Sequence, residues 1–247
     1  MVGYGTAYTD VNSIDRRSSD GMLVLSVASD EPDLVGSSDK SDSFIVLSFK
    51  TDSDSWGWSK VFIDIDRTVD YENNVYFTPD GSKVLVTGIF NDRFAFVYLD
   101  ANSGEHISSV RNKENKPLST TRDALVISNS GENVYAMFKR INDDLGGIGR
   151  VYFDAGDNEF KLLKDISPKL WEVDDGSWSW WGSGNNVALQ KYSLTLSPDE
   201  SFLITFSTSK ANGWEQANEC KMHIYETDGM KKDTKEPYYA RGERSRE

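Results

Sequence analysis

Four times along this chain a short strand-like run meets a compact turn of Asp, Ser, Gly or Asn, and a second run follows. The turns and their second runs read SSDG-MLVLSVAS, TPDG-SKVLVTGIF, SNSG-ENVYAMFKR and SPDE-SFLITFSTS. The runs that lead into the turns are NSIDRR, NNVYF, DALVI and KYSLTL. After a loop of variable length comes a third run: SFIVLSFK, RFAFVYLD, GRVYFDAG and CKMHIYETDG. Three units carry a fourth, WGWSKVFIDI, EHISSV and FKLLKDI. The anchors Gly21, Gly81, Gly131 and Glu200 lie 60, 50 and 69 residues apart, so the unit persists while its loops vary.

Aromatic and β-branched runs of this length, bounded by Asp, Asn, Gly, Ser and Pro, predict strands joined by hairpins. Asp80-Gly81 and Ser103-Gly104 supply the positive φ that tight turns require. Helix signals are almost absent. A repeated unit of four antiparallel strands predicts an all-β, propeller-like fold of about four blades. A β-sandwich would not require the same order four times. The reading places propeller repeats over 1–229, with blades at about 10–65, 72–112, 121–166 and 190–229, and a charged tail or linker over 230–247. Four units either close a small ring, with VGYGTAY completing the last blade, or form an arc of a larger propeller.

The stretches SIDRRSSDGMLVLSVAS and NVYFTPDGSKVLVTGIF, with FIVLSF and WGWSKVF after the first, resemble SBBP-type β-propeller repeats. In those repeats a DG turn, a V-x-V-x-G strand, an F-V strand and a W-S-K strand recur. The resemblance is strongest over residues 10–110 and weaker beyond, where NSGE and PDE replace the DG turn. It implies a propeller and, since such repeats are common in surface and secreted proteins, an extracellular or cell-surface setting; a cytoplasmic one stays open. It implies no catalytic set.

The balance of 40 acidic to 27 basic residues gives a net charge of −13, which repels phosphate backbones and anionic lipid. Nucleic acid is therefore not an expected partner. Cys220 stands alone, so no disulfide can form within the chain and a thiolate metal cluster is excluded. No apolar run reaches the ~20 residues of a membrane helix, so membrane insertion is not expected. MVGYGTAYTD lacks the features of a signal peptide.

In such a meander, short turns fall at one end of the blades and long loops at the other, where binding residues tend to gather. Trp178, Trp180 and Trp181 in DDGSWSWWGSGNN, with Trp214 in another long loop, are the candidate recognition residues for a glycan or peptide. The competing expectation is that they point inward as a plug or extra strand. Trp56 and Trp58 fall two apart on one strand and are expected to pack between blades.

Catalytic signatures are missing. His106 and His223 have no neighbouring ligand partners, and no G-x-S-x-G elbow, P-loop or Rossmann glycine pattern occurs. Acidic turns recur, which makes Asp100, Asn102, Asp154 and Asp157 calcium candidates. Turn conformation selects the same residues, and no loop carries a full calcium ligand set, so no cofactor is expected.

These features predict a non-catalytic structural or interaction module, a subunit of a larger assembly, cell-surface or filamentous, whose partners are other protein subunits. The alternative is a glycan- or peptide-binding propeller that uses the Trp-rich loops. A hydrolase built on paired carboxylates ranks last.

Overall fold

The computed structural model describes residues 9–29, 43–62, 73–90, 93–112, 115–117, 125–140, 145–165, 171–172, 193–210, 218–227 and 232–233. They form four antiparallel sheets. Sheet 1 contains β1 (Thr9–Arg16), β2 (Leu23–Ser29), β3 (Ser43–Lys50) and β4 (Ser55–Phe62) in chain order. Sheet 2 repeats the meander with β5 (Asn74–Phe77), β6 (Lys83–Phe90), β7 (Arg93–Asp100) and β8 (His106–Asn112).

Sheet 3 is wider. A three-residue β9 (Asn115–Pro117) precedes β10 (Leu125–Ile127), β11 (Asn133–Arg140), β12 (Leu145–Asp154) and β13 (Glu159–Asp165), and β14 (Trp171–Glu172) follows. Both β9 and β10 pair with β11, one after the other along its length, and β14 extends the edge of β12. Sheet 4 contains β15 (Ser193–Leu196), β16 (Phe202–Lys210), β17 (Asn218–Glu226) and the two-residue β18 (Lys232–Asp233). That last strand lies in the segment read from sequence as a tail, where Ile224 and Tyr225 pair with Asp233 and Lys232.

The inner strands of sheet 2 are buried on both faces, which explains their nearly continuous apolar sequences. In β6, Val84 and Val86 face sheet 1 while Leu85 between them faces sheet 3. One core layer joins Met22, Val24, Phe44 and Val46 of sheet 1 to Val75, Phe77, Val97 and Leu99 of sheet 2. The next joins Tyr76, Leu85, Phe96 and Tyr98 of sheet 2 to Val134, Ala136, Val151 and Phe153 of sheet 3. First strands of successive sheets touch, β1 with β5 and β10 with β15, as do the outer strands β8 and β13. The core thus lies between sheets rather than within one, as stacked blades require.

The first turn of each unit sets its hairpin register. In sheet 2 the Thr78 amide donates to Lys83 O (3.0 Å), and the Gly81 amide donates back to Thr78 O (2.7 Å). The Asp80 carboxylate accepts from the Thr78 hydroxyl and from both the amide and the hydroxyl of Ser82. The Ser197-Pro198-Asp199-Glu200-Ser201 turn of sheet 4 makes the same set. Ser130 takes the place of the carboxylate in sheet 3, exchanging a bond with Ser128 and accepting the Glu132 amide.

The first copy differs. There the Gly21 amide reaches Arg17 O, so its glycine stands fifth in the turn where Gly81 and Gly131 stand fourth. Strand pairing makes Arg17 the counterpart of Thr78, Ser128 and Ser197, and an alignment on the DG dipeptides is one residue out of step. The reason is that strand register, not the dipeptide, sets which residues oppose each other.

Candidate functional site

Two features of the described residues organise surface chemistry, and both arise from how the sheets meet. The first lies at the turn end of the seam between sheets 1 and 2. Arg17 occupies the place where the other turns carry Ser or Thr, and its long side chain cannot close the short local bond that a hydroxyl makes. It forms a bidentate pair with Asp20, Nε to Oδ1 at 2.9 Å and a second nitrogen to Oδ2 at 2.6 Å. Its remaining terminal nitrogen crosses to sheet 2, donating to Asn102 Oδ1 (2.9 Å) and Gly81 O (3.2 Å). The guanidinium also lies 5.7 Å from the centre of the Phe77 ring.

This pairing holds the Asp20 carboxyl down at about 2, chiefly through the Arg17 hydrogen bond and then the Met22 amide, and raises the Arg17 pKa further. A shallow polar recess of about 250 Å³ opens beside the pair, with Lys50, Thr51 and Asp52 on its far wall. Its central cation is already committed to protein acceptors. The arrangement clamps two sheets together and presents no paired acid and base.

Further along the same seam, the Trp58 indole N–H donates to Ala101 O (2.9 Å), and its ring lies flat over Gly104. A Cβ at Gly104 would fall 2.5 Å from the ring, and the glycine has φ +71°, so no other residue fits. Near the centre of the array, the Phe77 amide donates to Asp15 Oδ2 (2.7 Å). The Ser26 hydroxyl donates to Asn73 O (3.0 Å).

The second feature is the face of sheet 1 turned away from sheet 2. Register places Ile14, Leu25 and Leu47 in one row and Arg16, Leu23, Phe49 and Trp56 in the next, with Val11, Val27, Ile45 and Val61 beyond. The corresponding positions of sheet 2 are Val75, Val86 and Val97, then Phe77, Val84 and Leu99, and all six are buried against sheet 1. On sheet 1 the same apolar pattern is uncovered in part: Ile14 is 46%, Val11 59% and Trp56 60% exposed. At the other end of the array, Phe202 of sheet 4 is 40% exposed.

The expectation that Trp56 and Trp58 both pack between blades holds only for Trp58. A bulge opposite Ser48 breaks the alternation between them. The Ser48 hydroxyl fills the space, accepting the Trp58 amide at 2.7 Å and donating to Trp58 O at 3.1 Å. Trp56 is left pairing with Phe49, ring edge to face at 5.3 Å, on the outward side.

Trp178, Trp180, Trp181 and Trp214 lie outside the described residues. Of the calcium candidates, Asp100 Oδ1 accepts the amides of Asn102 and Ser103 and the Ser103 hydroxyl. Asn102 Oδ1 is held by Arg17. Asp154 Oδ1 accepts the Gly156 and Asp157 amides. These oxygens cap turns, and among the described residues no three His, Cys, Asp or Glu side chains gather where a metal would sit. His106 is exposed at the start of β8.

Sequence reasoning missed Arg17 and the uncovered face. The signal for Arg17 was the change from hydroxyl to guanidinium at the first turn position. For the face, the signal was that sheet 1 is as apolar on both sides as the sheets flanked by neighbours.

No family model and no curated protein matches the sequence. Solved structures do match in fold. Hydrazine synthase from Kuenenia stuttgartiensis is 14% identical over 91% of this chain and 65% of its own, with a TM-score of 0.50. The β-propeller domain of the Trilobed protease from Pyrococcus furiosus, described as having an open velcro topology, is 10% identical over 92% of this chain and 57% of its own, with a TM-score of 0.49. The four antiparallel meanders, packed face to face in chain order, give the chain a β-propeller-like fold. The chain spans about three fifths of the length of those two structures.

Proposed function

We propose that this chain is a non-catalytic interaction module that serves as a structural subunit of a larger protein assembly. The observation that carries the reading is the outward face of sheet 1. Ile14, Leu25 and Leu47 repeat the Val75, Val86 and Val97 row that sheet 2 buries against its neighbour, yet Ile14 is exposed to solvent, as is Trp56 in the next row of this face. An exposed apolar surface of this kind is costly to keep in water unless a partner covers it. The described turns support the same reading, because Asp20, Asp80, Asp100 and Asp199 are occupied in turn and seam hydrogen bonds rather than poised for proton transfer.

A photo-activatable phenylalanine analogue at position 56 tests this on the full chain in its native extract. The reading predicts one protein adduct of defined mass, identified by mass spectrometry, that disappears when Ile14 is replaced by Asp. Adducts only to glycan or lipid, or none, would overturn it.

A further inference from the structure

Resting on that reading, we infer that the partner is a second copy of this chain, docked head to tail so that the outward face of sheet 4 covers the outward face of sheet 1. An interface of this kind is already repeated inside the chain. Each internal seam joins the following face of one sheet to the preceding face of the next. The following face of sheet 1 carries Val24 from β2 and Met22 just before it, and that of sheet 2 carries Leu85 from β6 and Tyr98 from β7.

Register places Phe202 of sheet 4 at the Met22 position, Ile204 at the Val24 and Leu85 position, and Ile224 at the Tyr98 position. Leu203 and Tyr225, on the opposite side of the same strands, are buried. Phe202, Ile204 and Ile224 therefore form a following face of the internal type, and Phe202 is 40% exposed. Sheet 1 supplies the matching preceding face, with Ile14, Leu25 and Leu47 where sheet 2 has Val75, Val86 and Val97.

Charge agrees with this pairing. Arg16 stands at the turn end of the sheet 1 face, where sheet 2 has the buried Phe77. Glu226 pairs directly with Phe202 at the turn end of the sheet 4 face, where sheet 1 has Lys50. The junction between copies would thus bring a cation and an anion to the same rim, whereas at those positions the seam of sheets 1 and 2 has Lys50 and Phe77 and that of sheets 2 and 3 has Asp100 and Ile127. Two copies joined twice in this way make a ring of about eight blades, within the range that propellers adopt. A contact of this heterologous type closes into a ring or runs on as a filament, depending on the angle at each junction.

Light scattering on the purified full chain across a concentration series reads this directly. The expected result is a species of twice the 27.8 kDa chain mass that dissociates on dilution. Arg16→Glu and Glu226→Arg should each weaken it by about tenfold, and the double swap should restore most of the loss. Circular dichroism confirms that each variant folds, and Phe202→Asp provides a second disruption that leaves Arg16 and Glu226 in place. A chain that stays monomeric at ~100 µM, well above the concentrations at which specific dimers form, overturns the inference. So does a dimer that tolerates all of these changes, or a cross-link from position 56 to residues 202–206 within one chain. If position 56 instead captures a different protein while the chain remains monomeric, the assembly reading stands and this inference alone falls.

Discussion

The Tyr98 hydroxyl of sheet 2 donates a 2.8 Å hydrogen bond to the carbonyl of Gly131 in the first turn of sheet 3. It does so from a fully buried ring stacked at 4.7 Å on Phe160 and set edge-on to Phe153 at 5.0 Å. One side chain therefore joins the aromatic layer between two sheets to the turn that sets the register of the second. Burial pushes the phenol pKa upward, which favours the protonated hydroxyl that donates this bond.

Tyr98→Phe should keep the ring contacts and leave the Gly131 carbonyl unpaired in a buried place, at a cost of about 1–3 kcal/mol. Urea unfolding measures it. A midpoint unchanged from the parent would show that the bond contributes nothing.

Gly104→Ala should be more damaging than a surface change of one methyl suggests. It meets both a positive φ and the Trp58 ring, and either the turn or the indole must move. The expected loss is about 2–3 kcal/mol, combining backbone strain with disturbed packing, together with a shift in Trp fluorescence. Trp58→Phe combined with Gly104→Ala should recover part of that loss, because the smaller ring leaves space.

Glu200 has φ +59° where the second and third turns have glycine, and its carboxylate accepts the Asn129 amide from the neighbouring sheet. Substitution by Ala removes the bond and keeps the strain, whereas substitution by Gly removes both. Glu200→Gly should thus be more stable than Glu200→Ala by about 1 kcal/mol, the reverse of the usual order for these residues. Thermal melts of the two variants decide it.

Acid should loosen the turns in a defined window. Asp199 is lowered to about 2, first by the Ser197 hydroxyl and then by Ser201, and Asp20 is lowered to about 2 by Arg17. Burial pulls Asp80 and Asp100 upward, but hydrogen bonds from Ser82 and Thr78, and from Ser103, leave both below the ordinary carboxyl value. A carboxyl with a depressed folded pKa contributes stability that is present above its unfolded value near 4 and is lost as pH falls through the folded one. The melting temperature should therefore fall between about pH 4 and pH 2. Asp199→Asn should flatten that decline, and an equally steep curve in the variant would reject the assignment.

The repeat was legible because turns and strands are local. Thr78-Pro79-Asp80-Gly81 and Ser197-Pro198-Asp199-Glu200 close their hydrogen bonds within six residues, and the apolar runs beside them report burial on both faces. The two-residue β18 was not legible, because Lys232 and Asp233 have no strand pattern of their own and are held by β17. Trp56 and Trp58 look alike in sequence, yet a bulge opposite Ser48 sends one inward and the other out.

From its residues alone the chain specified four strand meanders, the chemistry of their turns and an acidic, single-cysteine composition. Only the tertiary structure decided which side chains cross between sheets. Arg17 reaching Asn102, Trp58 covering Gly104 and Tyr98 holding Gly131 join positions separated by 85, 46 and 33 residues. Periodicity reports which face of a strand is apolar, but not what lies against it. The identity of the covering surface is a property of stacking order, which the local pattern of a strand does not encode.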